Sequence, residues 1–326
     1  MSKKTFFIIF LVFAWILPAK SQLDLNALEK ERMANARVRI QTEWAHEYVS
    51  GRPAARGVKQ SVTEFDRRGN KVKITNFDKD GVTIISVVVY QYDSRDNRVN
   101  YERRDGGGRM LQSQRTVYDS RGNITREYGA GNDGKHEYNN TFTYDAIGRL
   151  TEIVYTTENA VTERRQFSYS GNRTEVSVFD ARNNLLFRLM NTHNDRGLLL
   201  SEVRTNIQGN VQHSMNMQYN SAGNLTEELR RRGDNKLEFQ KTYQYDRNNR
   251  PTKIETTNLG GTKFVSNEYQ YNSNGDLIFE SWRRNERVEQ STNKFTYDAR
   301  GIYTEKDSYF ASFQLRSLYK YEYEMF

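Results

Sequence analysis

The sequence predicts an all-β protein: a long antiparallel meander of 26-residue β-hairpin repeats, coiled into a superhelical or partly closed sheet, with one N-terminal α-helix. Two observations carry this prediction. A turn motif that begins with an aromatic residue recurs every 24 to 26 residues, and stretches of alternating apolar and polar residues lie between the turns. A fixed period of this kind is the signature of an internal repeat, which sets the fold.

The composition narrows the class of protein. The 326 residues have a mean hydropathy of −0.89 and only 36% hydrophobic residues, which excludes a multi-pass helical membrane protein. With 21 Tyr and 17 Phe, the chain is too rich in aromatic residues for a disordered tail. It contains no Cys, so disulfides, thiolate metal sites and cysteine nucleophiles are excluded.

Residues 1–21 have the features of a secretory signal peptide. Two lysines precede the apolar run 6–17, and the small residues Ala19 and Ser21 provide a cleavage site. The run has 12 residues, fewer than the roughly 20 that a membrane-spanning helix needs. We therefore expect an exported protein, in the periplasm, at the cell surface or outside the cell, that does not span a membrane after cleavage.

Residues 22–52 are predicted to contain an N-terminal amphipathic helix that caps one end of the repeats. Apolar residues recur at steps of three to five between Asn26 and Tyr48, and Asn26 with Glu29 resembles the start of a capping box. Arrays of repeats need a terminal unit that covers an exposed edge, which is the role expected of this helix. The alternative is a helix that binds a partner protein.

The repeat domain extends over residues 60–326. In its turn motif the aromatic residue is followed by Asp or Asn, whose side chain can accept a hydrogen bond from the backbone two residues on. Gly or Asn comes four residues after the aromatic and can take a positive φ, so the motif predicts a tight reversal between antiparallel strands. The residues assigned to these turns include Asp93, Asp119, Asp145, Asp246 and Asp298, with Gly122, Gly148, Gly223, Gly275 and Gly301.

The aromatic residues of successive repeats are expected to form a column, because residues two apart on a strand share one face of the sheet. If this column is buried, it is the core of the sheet, which is the expected role. If it is exposed, the rings can stack on sugar rings while neighbouring polar side chains bind the hydroxyls. The ligand-binding residues in this alternative are Tyr219, Tyr245, Tyr271 and Tyr297.

The repeated Tyr-Asp-x-x-Gly turn, which is fullest at residues 144–151, resembles the YD/RHS repeat family over roughly residues 60–305. The resemblance implies exported β-hairpins that coil into a superhelical sheet, which forms a hollow shell around a toxin in large bacterial members, and it implies an association with carbohydrate binding. The period here is longer than the usual repeat of the family, and the Asp-Pro-x-Gly elements of the self-cleaving toxins are absent. The resemblance therefore implies a short secreted member without a toxin domain.

The motifs of common enzyme classes are missing. The four histidines lie in different sequence settings, His193 occupies a tyrosine slot of the repeat, and no Gly-x-Ser-x-Gly elbow is present. The repeated aspartates occupy one turn position, so neighbouring copies are about 9.5 Å apart, too far to share a metal. We therefore predict no catalytic residue, no metal site and no cofactor.

These features predict a non-enzymatic repeat protein that acts as an extracytoplasmic binding or scaffold module. The expected partners are glycans or another cell-envelope protein; a net charge of +8, or +5 without the three lysines of residues 1–21, is too dilute to predict nucleic-acid binding. Three alternatives stay open: a polysaccharide-active enzyme with a carboxylate pair in the concavity of the sheet, a shell or accessory partner of another exported protein, and an outer-membrane β-barrel. Against the last, residues 225–232 place charges on both faces of a strand.

Overall fold

The computed structural model describes residues 25–131, 134 and 136–326, so the predicted signal peptide lies outside the described residues. The helix α1 spans Leu25–Asn35, and a short 3-10 helix spans Ala311–Phe313. Within the described part of the chain, no helix combines the length and the apolar character needed to cross a membrane. The strands are β1 (Val38–Val49), β2 (Arg52–Pro53), β3 (Val58–Phe65), β4 (Lys71–Phe77), β5 (Ile84–Tyr92), β6 (Arg98–Asp105), β7 (Met110–Tyr118), β8 (Ile124–Ala130), β9 (Glu137–Tyr144), β10 (Leu150–Thr157), β11 (Ala160–Ser170), β12 (Arg173–Asp180), β13 (Leu185–His193), β14 (Leu199–Thr205), β15 (Val211–Tyr219), β16 (Leu225–Arg232), β17 (Leu237–Tyr245), β18 (Pro251–Thr257), β19 (Lys263–Tyr271), β20 (Leu277–Trp282), β21 (Ser291–Tyr297), β22 (Tyr303–Phe310) and β23 (Leu315–Met325).

The strands form a closed antiparallel β-barrel. Each strand from β3 to β22 pairs with the next one in sequence, and β1 pairs with β3 on one side and with β23 on the other. The two-residue strand β2 pairs with β1 outside this ring, so 23 strands less one give a 22-stranded barrel. The prediction of a superhelical or partly closed sheet is therefore wrong, because β1 joins the two ends of the meander.

The N-terminal helix is shorter than predicted. It ends at Asn35, Arg37 has a φ of +54°, and residues 38–49, which were expected to continue the helix, form β1. The physical reason is that β1 offers its backbone groups to two neighbouring strands at once, which a helix over the same residues could not do. The segment thus closes the sheet and does not cover an exposed edge.

The two faces of the barrel wall differ in burial. The repeat tyrosines share a face with buried apolar residues of the wall such as Val88, Ile153 and Val176. This more buried face is the inner one. The residue directly before a repeat tyrosine points to the outer face and is exposed in eight repeats: Gln91, Val117, Thr143, Ser168, Gln218, Gln244, Gln270 and Thr296.

Charged and amide side chains pair across the outer face. Cross-strand and same-strand examples are Lys73–Glu64 at 2.9 Å, Gln240–Glu227 at 3.1 Å, Lys253–Glu255 at 3.1 Å and Lys320–Glu305 at 3.4 Å. An outward Arg or Lys costs about 2–4 kcal/mol at the midplane of a bilayer. These four pairs therefore place charged side chains on the outer wall of the described strands.

The barrel encloses a lumen. Twenty-two strands about 4.8 Å apart, tilted by about 35–45° as closure requires, would make a circular section roughly 41–48 Å across. The described ion pairs and ring contacts run along the wall between neighbouring hairpins, except those of α1, which lies inside one end. There, Met33 of α1 forms an apolar core with Val38, Phe65 and Ile302, and a second small core lies on the inner face of β12 and β13.

Candidate functional site

The turn residues assigned from the sequence form one end of the barrel. The Oδ1 atom of Asp93 accepts hydrogen bonds from the backbone N–H groups of Arg95 and Asn97, both at 2.9 Å, and Asp119, Asp145, Asp246 and Asp298 accept the corresponding bonds. The five assigned glycines, Gly122, Gly148, Gly223, Gly275 and Gly301, have φ between +76° and +92°. These aspartates are thus occupied in holding turns.

Arginines connect successive turns. The guanidinium of Arg95 donates to the carbonyl of Ser120 at 2.8 Å, and that of Arg121 donates to the carbonyl of Ala146 at 3.0 Å. The same contact recurs between Arg196 and Ser221 at 2.9 Å. This end of the barrel is therefore a band of linked turns.

Acidification is expected to weaken the turns that use aspartate. Hydrogen bonds from the side chains of Asn97 and Asn123 lower the pKa of Asp93 and of Asp119 below the ordinary value. Because the folded pKa is depressed, the stabilisation is complete above the unfolded value of about 4 and is lost as the pH falls through the folded value. We expect the melting temperature to fall below about pH 4. The variant Asp93→Asn with Asp119→Asn, which copies the Asn220 and Asn272 turns, should lose less on acidification; equal losses would contradict this account.

The repeat tyrosines have a role that the sequence did not indicate. Each of Tyr219, Tyr245, Tyr271 and Tyr297 donates its hydroxyl to the backbone carbonyl of the first residue of a strand in the preceding hairpin. The acceptors are Leu199 at 2.9 Å, Leu225 at 2.8 Å, Pro251 at 2.9 Å and Leu277 at 2.8 Å. The hydroxyls of this column therefore tie one hairpin to the next.

The rings of the column are half-buried, and some are covered by arginine. The guanidinium of Arg250 lies 4.4 Å from the ring centroid of Tyr271, and that of Arg32 lies 5.2 Å from the ring centroid of Tyr297. Burial raises the pKa of Tyr271 to about 12. Part of each ring remains accessible, so sugar binding by these four tyrosines stays a prediction.

A second set of aromatic residues lines the inner wall further from the turns. Tyr243 and Tyr269, two positions before a repeat tyrosine, are only partly buried and carry polar neighbours. Tyr243 donates its hydroxyl to Glu228 at 2.9 Å, and Lys241 lies 3.8 Å from the same carboxylate. The sequence placed these tyrosines on the face of the column, but their lumenal position follows from closure of the barrel. They are the better candidates for contact with a ligand.

The described residues contain no group of three or more His, Asp or Glu side chains that could hold a metal ion. Burial raises the pKa of the inner carboxyls Glu43, Glu127 and Glu202, as a general acid requires. These three groups lie on β1, β8 and β14, at least six strand spacings or about 29 Å apart along the wall. They do not form the close carboxylate pair of a glycosidase.

A cavity of about 330 Å³ lies at the outer wall of β7–β9. Arg126 at this cavity donates to Asn139 at 2.7 Å and lies 4.5 Å from the ring centroid of Tyr128. Arg115 and Glu137 also line the cavity, which lies on the face of the wall opposite the repeat tyrosines.

Comparison with known proteins gives limited matches. Residues 56–103 match a family described as a protein of unknown function, DUF2963, which covers less than half of the chain. No curated protein matches. The resemblance to YD/RHS repeats therefore rests on the turn residues alone.

Three solved structures show weak similarity. A porin-like protein from Bacteroides uniformis ATCC 8492 is 13% identical, with 65% of this chain and 94% of that chain covered at a TM-score of 0.31. A porin-like protein from Bacteroides vulgatus ATCC 8482 is 11% identical, with coverage of 74% and 95% and a TM-score of 0.28. The Tc holotoxin pore of Photorhabdus luminescens is 13% identical, with a TM-score of 0.19; 82% of this chain matches only 19% of that chain. TM-scores this low carry no argument about function.

Proposed function

We propose that the protein is an exported, non-enzymatic binding protein that holds a carbohydrate chain against the inner wall of its barrel. One observation supports this proposal: on the inner wall, partly exposed tyrosines lie beside carboxylate, amide and ammonium groups. A sugar needs such a surface, because its ring stacks on an aromatic face while its hydroxyls take hydrogen bonds.

The lumen has room for a polymeric ligand. A 22-stranded barrel is far wider than a single saccharide chain, so the chain would lie along one part of the wall. The partner side chains of Tyr243 and Tyr269 support this position: Glu228 is bonded to Tyr243, and Glu280, directly across from Tyr269, accepts a hydrogen bond from Asn293 at 2.7 Å. Each tyrosine thus has a hydrogen-bonding group within reach of the same sugar.

The outer wall argues against the outer-membrane alternative. Its ion pairs and amide pairs replace the apolar band that a transmembrane barrel presents to lipid. The predicted signal peptide supports export, which would bring the barrel into contact with extracytoplasmic glycans.

A glycan array tests this proposal with residues 22–326 at moderate salt. We expect binding to a defined set of glycans and a loss of at least about tenfold in affinity for Tyr243→Ala with Tyr269→Ala, because losing about 1.4 kcal/mol changes an affinity tenfold. The matched control is Gln244→Ala with Gln270→Ala, whose side chains lie on the same strands but face outward.

Melting temperatures of all variants show whether the fold is retained. Equal losses of binding in the inward and outward pairs would contradict a lumenal site. Clean absence of glycan binding by the unsubstituted chain would overturn the proposal and favour a protein partner.

A further inference from the structure

We propose that the inner wall of β13–β16 contains a site for the carboxylate of an acidic saccharide, centred on Arg204. This inference rests on the proposed function, because it names the class of sugar that the lumen would take. The proposed site contains three basic side chains: Arg204 on β14, His213 on β15 and Arg230 on β16.

The strand register brings these side chains together on the inner face. Leu189, which belongs to the buried inner core, lies across from Arg204, and Arg204 lies across from His213. These residues form one row of side chains that lie directly across from one another on neighbouring strands. In the adjacent row on the same face, Met215 lies between Glu202 on β14 and Arg230 on β16. The site therefore occupies two adjacent rows on four consecutive strands.

Arg204 is held in place but has no ion pair among the described residues. Its guanidinium stacks 3.6 Å from the ring centroid of Phe187, which fixes the plane of the group. The Nε atom of Arg204 is buried and has no hydrogen-bond partner in the described part of the chain. The charge of Arg230 is already balanced, since its Nε lies 3.0 Å from the Glu238 carboxylate.

A buried amide completes the site. Asn191 is only 3% exposed and lies directly across from Glu202, yet its Oδ1 atom has no hydrogen-bond partner among the described residues. An unpaired buried acceptor is costly unless a ligand or water satisfies it. Asn191 lies across from Glu202, in the row next to that of Arg204, so an unpaired carbonyl oxygen and a guanidinium on neighbouring rows fit a ligand that carries a hydroxyl group next to an acid group.

The charged groups around Arg204 include both signs, and Arg204 is the arginine among them without an ion pair in the described part of the chain. Burial, followed by the charges of Arg230 and Arg204, lowers the pKa of His213, and Glu202 lies 3.8 Å from the imidazole. Burial also raises the pKa of Glu202. A planar guanidinium binds carboxylates through two parallel hydrogen bonds, and this geometry favours a uronic acid unit.

Calorimetric titration tests the site with two probes of equal length: an oligogalacturonate and the same oligosaccharide with its carboxyl groups reduced to alcohols. We expect the unsubstituted chain to bind the acidic probe at least about tenfold more tightly, since a guanidinium forms stronger hydrogen bonds with a carboxylate than with a neutral hydroxyl. Arg204→Gln should remove this preference and leave binding of the reduced probe unchanged. Arg188→Gln is the matched control, because Arg188 is on the neighbouring strand, faces outward and pairs with Glu175 at 3.4 Å.

The possible outcomes separate this inference from the proposed function. Equal affinity for the two probes, or an acidic preference that survives in Arg204→Gln, would overturn the anion site while the proposed carbohydrate function stands. Failure of the unsubstituted chain to bind either probe or any glycan on the array would overturn both. Loss of the preference in Arg188→Gln as well would mean that net charge, and not this site, selects the acidic sugar.

Discussion

Replacing Met33 by Ala is expected to lower the free energy of unfolding of the barrel by about 2–5 kcal/mol, the range for truncating a buried large apolar side chain. Met33 is 1% exposed and packs with Val38, Phe65 and Ile302. These partners belong to β1, to β3 on one side of it and to the turn before β22 on the other. The cavity would therefore lie where the two ends of the sheet meet.

The polar contacts of α1 explain why this position matters for closure. Lys30 pairs with Asp96 in the turn between β5 and β6, and Arg32 pairs with Asp276 in the turn between β19 and β20 at 2.5 Å. These turns are eight strand spacings apart around the ring, or about 38 Å along the wall. Because Lys30 and Arg32 are only two residues apart on α1, their ion pairs connect the turns on the two sides of β1 to each other.

Denaturant unfolding measures the effect of Met33→Ala, with Val49→Ala as control because Val49 belongs to β1 but is 65% exposed. The control should change the free energy of unfolding by less than about 0.5 kcal/mol. Hydrogen exchange of the β1 and β23 amides adds a local readout, and we expect faster exchange in Met33→Ala. A loss no larger than that of the control would show that α1 does not secure the closure.

The turns of the repeat were predictable from sequence because their chemistry is local. An aspartate such as Asp119 needs only the backbone two and four residues ahead of it, and Gly122 needs only freedom at φ. Closure of the sheet into a barrel was not predictable, since it depends on the sum of the small rotations between successive hairpins. A 22-stranded ring of 11 hairpins turns by roughly 33° per hairpin, and a few degrees more or less give an open superhelix.

The extended form of β1 and the grouping of the lumenal residues could not be predicted from the sequence for a related reason. The apolar spacing of residues 38–49 resembles a helix, and only the two partner strands make the extended form favourable. Arg204, His213 and Arg230 are 9 and 17 residues apart in sequence, so no motif connects them. Their proximity comes from strand register, which is set by turns and bulges across three hairpins.

Removing two hydroxyls of the tyrosine column is expected to destabilise the barrel without changing its rings. In Tyr245→Phe with Tyr271→Phe, the carbonyls of Leu225 and Pro251 lose their donors at 2.8 and 2.9 Å. A partly buried acceptor left without a partner costs about 1–3 kcal/mol, so we expect the double variant to lose about 2–4 kcal/mol of unfolding free energy. Tyr128→Phe is the control, because its hydroxyl makes no hydrogen bond within the described part of the chain.

Alkaline unfolding gives a second measure of the role of these hydroxyls, because burial makes ionisation of Tyr271 unfavourable in the folded barrel. The pKa of Tyr271 is raised from the ordinary value to about 12, so its contribution to stability is complete below about pH 10 and is lost as the pH rises through 12. The melting temperature of the unsubstituted chain should therefore fall more steeply between pH 10 and 12 than that of the double variant. Parallel pH profiles would contradict a structural role of these hydroxyls.

The same double variant separates the structural role of the column from ligand binding. Phenylalanine keeps the ring, so a sugar that stacks on Tyr245 or Tyr271 should still bind at temperatures where the variant is folded. If the stability of the barrel falls and glycan affinity is unchanged, the hydroxyls stabilise the barrel wall, and any sugar contact is made by the ring faces alone. If affinity falls more than tenfold while the melting temperature is unchanged, the hydroxyls bind ligand, and the carbonyl bonds to the preceding hairpin are not what holds the barrel together.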